Sequence, residues 1–184
     1  MIGLCVVLVA SLLSGCTFFE QKNPVVCAKM QEKDVARVHA IGTTAFKRTP
    51  GDMLEQKDLK AQVSAPKTKI IVAKDGDKII GYCIIDMAYK GELGHAHITN
   101  IAVDPSSQRH GVGTALIKQT ITDAAKQNCN YLTLYVRSSN EPAKGLYYKM
   151  GFGEAGRIKD YYSLPKEDAL YLGQSLAAAN KKGA

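Results

Sequence analysis

The stretch IAVDPSSQRHGVGT, residues 101–114, decides how the rest of the chain is read. Its left flank, His97 to Val103, is rich in β-branched residues and reads as a strand that stops at Asp104-Pro105. Its right flank, opened by Gly111 and Gly113, carries a helical pattern. A strand, a loop and a glycine-opened helix bring backbone N–H groups close to one point, where the positive helix end favours an anion such as a pyrophosphate. Gln108, Arg109 and His110 add side-chain donors. Short Gly-x-Gly runs also occur in plain turns, so the spacing by itself leaves both readings open.

Downstream, Gly113, Ile117, Ile121 and Ala124 share one helix face opposite Gln119, Thr122, Asp123 and Lys126, and Asn128 to Asn130 ends the helix. Tyr131 to Arg137 alternates, with Leu132, Leu134 and Val136 on one side and Tyr131, Thr133 and Tyr135 on the other. Asn140-Glu141-Pro142 starts a second helix, with Ala143, Leu146, Tyr147 and Met150 on one face and Gly151 as its stop. Arg157 to Ser163 and Ala169 to Leu176 pair around Leu164-Pro165-Lys166. Upstream, the pattern predicts a strand over Val25 to Lys29 and helices over Gln31 to Phe46 and Asp52 to Val63. Lys69 to Ala73 and Lys78 to Met87 form a hairpin around Asp75-Gly76-Asp77. Tyr89 to Gly94 turns into the next strand, where alternation places His95, His97, Thr99 and Ile101 on one face.

At 184 residues the chain fits one ordinary domain, and 46% hydrophobic residues suffice for a core without disulfides or metals. The formal charge of +7 is spread over the sequence rather than massed in runs, which points to an anionic small molecule and away from nucleic acid. Five cysteines lack C-x-x-C or Cys/His ligand spacing, so neither a structural metal nor a disulfide framework is expected. Residues 1–19 stand apart. Met1 to Gly15 is uncharged and apolar but shorter than the roughly 20 residues that span a bilayer. Leu13-Ser14-Gly15-Cys16 resembles a bacterial lipoprotein box that would lipidate Cys16, although no Lys or Arg precedes the apolar run. Residues 20–176 form the expected domain and 177–184 a tail.

Gln108-Arg109-His110-Gly111-Val112-Gly113 resembles the Q/R-x-x-G-x-G/A signature of the GNAT superfamily of acetyl-CoA-dependent N-acetyltransferases. With the stretches below, the resemblance covers roughly Val25 to Leu176. It implies an α/β GNAT fold, a mixed central sheet of six to seven strands flanked by about four helices. It also implies acetyl-CoA as cofactor, bound by backbone groups of Ile101, Ala102 and Val103 and by the N–H groups of Gln108 to Thr114. A cytoplasmic cofactor implies a cytoplasmic protein, whereas a processed Cys16 would anchor it to a membrane; both stay open.

Arg137-Ser138-Ser139-Asn140 with Ala143, Leu146-Tyr147 and Gly151-Phe152 is similar to the V-R-x-x-N-x-x-A-x-x-L-Y-x-x-x-G-F stretch of the superfamily. The resemblance makes Tyr147 the acid for the departing sulfur and Asn140 a partner of the pantetheine arm. A core tyrosine and a plain N-cap would explain the same two residues. In the ribosomal-protein alanine acetyltransferases a glutamate stands twelve residues before the tyrosine; this chain has Tyr135 there, a poor base with a phenol pKa near 10. Other branches place the base on strand four, four residues before the cofactor clamp, which gives His97, and an imidazole titrates in the needed range. A hydrogen-bonded sheet histidine is the other reading. Lys159-Asp160-Tyr161-Tyr162 followed by Glu167-Asp168-Ala169 is similar to the acceptor groove of protein N-terminal acetyltransferases. Tyr135, Tyr161 and Tyr162 are therefore the expected acceptor-binding residues. The acceptor is expected to be a protein α-amino group, with a small amine or polyamine, or a non-catalytic lipid-anchored binding protein, as alternatives.

Overall fold

Apolar runs of β-branched residues, broken by turn residues, pair into one seven-stranded sheet in the computed structural model, which describes residues 24–89 and 94–177. The strands are β1 (Val26–Lys29), β2 (Thr68–Asp75), β3 (Lys78–Tyr89), β4 (His95–Val103), β5 (Tyr131–Arg137), β6 (Gly153–Ser163) and β7 (Lys166–Ser175). Their order is β1-β2-β3-β4-β5-β7-β6, antiparallel throughout except for the parallel β4/β5 pair. Among the described residues four α-helices accompany them: α1 (Val35–Ala45), α2 (Gln56–Val63), α3 (Val112–Lys126) and α4 (Glu141–Lys149). The expected mixed sheet and helix number are thus present.

Each face of the sheet has its own core. On one, Ile71, Cys83, Ile98, Leu132, Leu134, Val136 and Leu172 pack with Leu116 and Ile117 of α3 and Tyr147 of α4. On the other, Val38 and Ile41 of α1 and Leu59 of α2 pack on Ile70, Val72, Tyr82, Ile84 and Ala102. A fully buried leucine or isoleucine is worth roughly 1.5–3 kcal/mol, so both layers are strongly held. The β2/β3 hairpin turns where expected, with Asp75 opposite Lys78 and left-handed backbone at Gly76.

Several expected boundaries move for identifiable reasons. The first helix opens with a 3₁₀ turn, Glu32–Asp34, whose Asp34 carboxylate accepts the Gln31 N–H at 2.9 Å. The second begins only at Gln56, because Pro50–Asp52 forms its own 3₁₀ turn and Met53 is extended. That turn is tied to the sheet, since Asn100 Nδ2 donates to the Asp52 carbonyl at 3.0 Å. β6 starts at Gly153 rather than Arg157; it is an exposed edge strand, so its ladder to β7 extends where no hydrophobic alternation marks it.

A correction concerns β4. Ile85 pairs with Ile98 but Ile84 pairs with Asn100, so Thr99 is an extra, bulged residue. One inserted residue reverses the alternation beyond it. His95 and His97 therefore share the α1/α2 face with Asn100 and Ala102, while Ile101 packs against the opposite core. The expectation that His97 and Ile101 share a face is overturned by this bulge. Among the described residues, no helix is long and apolar enough to cross a membrane. The lipobox-like stretch ending at Cys16 and all of the tail 177–184 but its first residue lie outside the described residues.

Candidate active site

The parallel β4/β5 ladder runs from His95/Tyr131 to Ile98/Leu134 and goes no further. Beyond it both strands continue, β4 to Val103 and β5 to Arg137, held by their outer neighbours β3 and β7. The sheet is split there, and among the described residues the inner edge of β4 over Thr99 to Val103 has no strand partner. The bulge at Thr99 marks the point of separation.

The loop beyond β4 closes the same end. Asp104 accepts from Ser106 N–H and Oγ and pairs with Arg37 of α1, which holds its carboxyl at a pKa of about 2. The backbone is left-handed at Arg109 (φ 65°) and at Gly111 (φ 80°), the N-cap of α3. Ala115 is the first residue to close a helical bond, to the Gly111 carbonyl at 2.9 Å, which leaves the N–H groups of Gly111 to Thr114 unused by the helix. Side chains of Arg109 and His110 are exposed beside them. Two parts of the expected cradle differ. The Gln108 N–H and side-chain amide turn back onto the carbonyls of Pro105 and Val103, because the preceding 3₁₀ turn captures them. Gly113 answers to packing: a Cβ there would stand 2.8 Å from Leu146 Cδ2 of α4.

α4 is capped by Asn140, whose Oδ1 accepts the Ala143 N–H at 3.2 Å. Tyr147 faces inward, 5% exposed, with its ring 5.8 Å from Phe152. Burial, and then the neighbouring Cys83 and Tyr162, push its phenol far above the ordinary range, so the hydroxyl keeps its proton. Among the described residues nothing hydrogen-bonds that hydroxyl.

On the other face of the split stands His97. Its Nδ1 lies 2.9 Å from Thr133 Oγ1, and His95 Nε2 lies 2.7 Å from the same oxygen. Burial, followed by His95, lowers the His97 pKa, and Asp86 opposes them. The His97 ring is 5.2 Å from Tyr135, which is flanked by Tyr161 at 4.9 Å and Tyr171 at 5.0 Å. Burial and the two neighbouring phenols raise the Tyr135 pKa, which removes it further from the role of a base. Glu92, which precedes β4 in the sequence, lies outside the described residues.

Tyr162 serves a different purpose from Tyr161. The Arg137 guanidinium lies 4.0 Å over its ring and also binds the Asp52 carboxylate, Glu167 and the carbonyls of Leu164 and Pro165. This network ties the turn before α2 to β5 and to the β6/β7 turn. Sequence reading did not find Asp52 or Thr133. Asp52 sits in a polar stretch with no periodicity. Thr133 is an ordinary strand residue until the β4/β5 register sets it opposite His97.

Solved structures that share this sheet include acetyltransferases. The crystal structure of the ribosomal-protein-S18-alanine N-acetyltransferase from Escherichia coli superposes with a TM-score of 0.70 at 26% identity, over 83% of this chain and 94% of that one. A protein from Salmonella typhimurium solved with its cofactor acetyl-CoA has a TM-score of 0.72 at 16% identity, over 84% of this chain and 95% of that one, a likeness of fold. The chain belongs to the Acetyltransferase (GNAT) family, whose pattern matches residues 35–152. It is 42% identical over 82 residues to the [ribosomal protein bS18]-alanine N-acetyltransferase of Escherichia coli (strain K12), a match over 44% of this chain and 55% of that protein. It is also 31% identical over 151 residues to an N-acetyltransferase of Methanocaldococcus jannaschii, over 80% of this chain and 90% of that protein. The chain spans 55–65% of the length of the curated bacterial relatives it matches first.

Proposed function

We propose that the protein transfers acetyl from acetyl-CoA directly to a primary amine, and that the amine is the α-amino group of a protein N terminus. The observation that carries this reading is the split between β4 and β5, which joins an anion loop on one side to an imidazole and an aromatic surface on the other. The fit to the cofactor is good at three points. Four N–H groups at the α3 terminus suit a pyrophosphate, the unpaired inner edge of β4 offers backbone partners to an amide-bearing arm, and the unpartnered Tyr147 hydroxyl suits the sulfur. Acetyl-CoA, when bound, supplies the thioester.

The chain's own groups do the rest. The neutral His97 Nε2 takes a proton from the acceptor amine, and the depressed pKa keeps that nitrogen free near neutral pH. Tyr147, held neutral by burial, gives its proton to the departing sulfur. Among the described residues a route through a cysteine thioester is disfavoured, because burial pushes Cys83 up to about 12 and raises Cys27 and Cys129 as well, so none of the three is a thiolate near neutral pH. The N-terminal acceptor is supported by the exposed Tyr161 beside Tyr135 and by likeness to enzymes named for a ribosomal-protein alanine. A screen of acetyl transfer over peptides with free α-amino groups, α-blocked lysine peptides and polyamines tests the reading. Turnover confined to free α-amino groups is expected, and turnover of polyamines alone would replace the acceptor assignment.

A further inference from the structure

The split has a crosspiece on the face that carries His97. Past the last β4/β5 pair, Ile98/Leu134, Asn100 stands on β4 and Arg137 on β5, and Asp52 touches both. Its main-chain carbonyl accepts from Asn100 Nδ2 at 3.0 Å, and its two carboxylate oxygens accept from Arg137 Nε at 2.8 Å and Nη2 at 3.1 Å. A bidentate pair of this kind fixes direction as well as distance. Each end is anchored in turn. The Tyr82 hydroxyl donates to Asn100 Oδ1 at 2.9 Å, which leaves the amide N–H groups for Asp52. At the other end the guanidinium donates to the Leu164 and Pro165 carbonyls, both at 3.0 Å, and lies over the Tyr162 ring. The Pro50–Asp52 turn also packs on the β6/β7 turn, where the Leu164 carbonyl oxygen is 3.8 Å from the place a Cβ on Gly51 would take.

Two consequences follow from where the crosspiece sits. Among the described residues no ladder bond joins β4 to β5 past Ile98/Leu134, so the separation of the strand ends depends on side-chain ties such as this one. The crosspiece also bounds the opening. On the same face His97 precedes Asn100 by three residues and Tyr135 precedes Arg137 by two, so about 7–10 Å of strand lies between the base and Asp52. That length takes an amino group and the residue that carries it, and not the flank of a folded surface. We propose that Asp52 is a positioning residue: braced between Asn100 and Arg137, it holds the ends of β4 and β5 at a fixed separation and sets how much bulk beside the acceptor amine the split admits. This rests on acetyl transfer taking place in the split. In this role Asn100 and Arg137 act through Asp52, and Tyr82 acts through Asn100.

The test measures acetylation of two peptides that differ only at the first residue, glycine or leucine, beside calorimetry of acetyl-CoA binding to the same full-length chains. The wild type should favour the glycine peptide. D52N keeps the size of the side chain and the carbonyl that Asn100 binds, but weakens the hold on Arg137. N100D keeps an acceptor for the Tyr82 hydroxyl, loses the donor to Asp52 and leaves the Arg137 pair intact, so it decides the matter if D52N does not fold. Each variant should raise the KM of the glycine peptide about tenfold and shrink the ratio of kcat/KM between the two peptides about tenfold, with kcat for the glycine peptide within about twofold and acetyl-CoA affinity unchanged. The added charge of N100D would by itself attract a cationic amine and lower KM, so a rise reports the broken brace. D52N/N100D should do no more than either single change, because one brace is broken in all three. Equal or reversed preference in the wild type, an unchanged ratio in the variants, or acetyl-CoA affinity falling in step with the peptide KM would overturn the brace and leave acetyl transfer standing. A wild type that acetylates spermidine alone would remove the α-amino reading; a tenfold rise in the spermidine KM of both variants would then support the brace, and an unchanged KM would overturn it. A wild type inert towards every amine would overturn both.

Discussion

His97 and Tyr147 lie on opposite faces of the sheet, His97 with the α1/α2 side and Tyr147 within the α3/α4 core, and among the described residues the split beyond Ile98/Leu134 connects the two faces. An acceptor and a thioester brought together must meet in that gap. In the proposed reaction base and acid act from two sides, so each should be separable by mutation.

Changing Tyr147 to Phe removes the hydroxyl and keeps the ring against Phe152. The expected outcome is a fall in kcat of roughly 10²–10⁴-fold with acetyl-CoA affinity nearly unchanged, measured by steady-state kinetics and calorimetry. A loss of thermal stability without loss of kcat would return Tyr147 to a core role.

The rate should fall as the solution is acidified, because protonated His97 cannot accept a proton. Burial and His95 lower its pKa, so the midpoint of that limb in kcat/KM should lie below the ordinary histidine value of about 6.5. His97→Ala should lower kcat and abolish the limb; a limb that persists in the variant belongs to another group.

Gly111 has left-handed backbone with open space around a would-be Cβ, whereas Gly113 faces Leu146. Gly111→Asp should weaken acetyl-CoA binding through backbone strain and through repulsion of the pyrophosphate. Gly113→Ala should instead cost stability by displacing Leu146. Isothermal titration and thermal melts separate the two effects.

Arg137 is almost wholly enclosed by its carboxylate and carbonyl partners. Removing it in Arg137→Ala leaves Asp52 and Glu167 uncompensated, and denaturant titration should show a loss of about 3–5 kcal/mol. A loss under 1 kcal/mol would mean the network is solvated in solution.

Asp104 links the end of β4 to α1. Its folded pKa, about 2, is below the unfolded value, so its contribution to stability is full above the ordinary carboxylate range and disappears as pH falls toward 2. Asp104→Asn should destabilise at pH 7 and flatten the acid side of the stability curve. An acid side unchanged in the variant would show that the Ser106 hydrogen bonds and the Arg37 pair are not formed in solution.

Much of this was legible in the chain because it is local. Asp75-Gly76-Asp77, Gly111 at the head of α3 and Asn140 before α4 announce their turns and caps by residue type alone. The α-helices and strands followed from periodicity, with errors at the Pro50–Asp52 turn and at the start of β6, where long-range ladders rather than local pattern set the ends. The face of His97 was not legible. A bulge inserts one residue without changing composition, and only the register against Ile84 and Ile85 reveals it. Thr133 and Asp52 were hidden for the same reason, since each gains its meaning from residues 36 and 85 positions away.

Direct acetyl transfer to an α-amino group is the activity proposed for the β4/β5 split. Its most direct test is mass analysis of a peptide incubated with acetyl-CoA and the protein, beside the same peptide with a blocked N terminus and a free lysine. Acetylation is predicted on the free α-amino group only, lost in His97→Ala and Tyr147→Phe. Acetyl on the lysine of the blocked peptide at an equal rate, or unchanged product with both variants, would contradict the account.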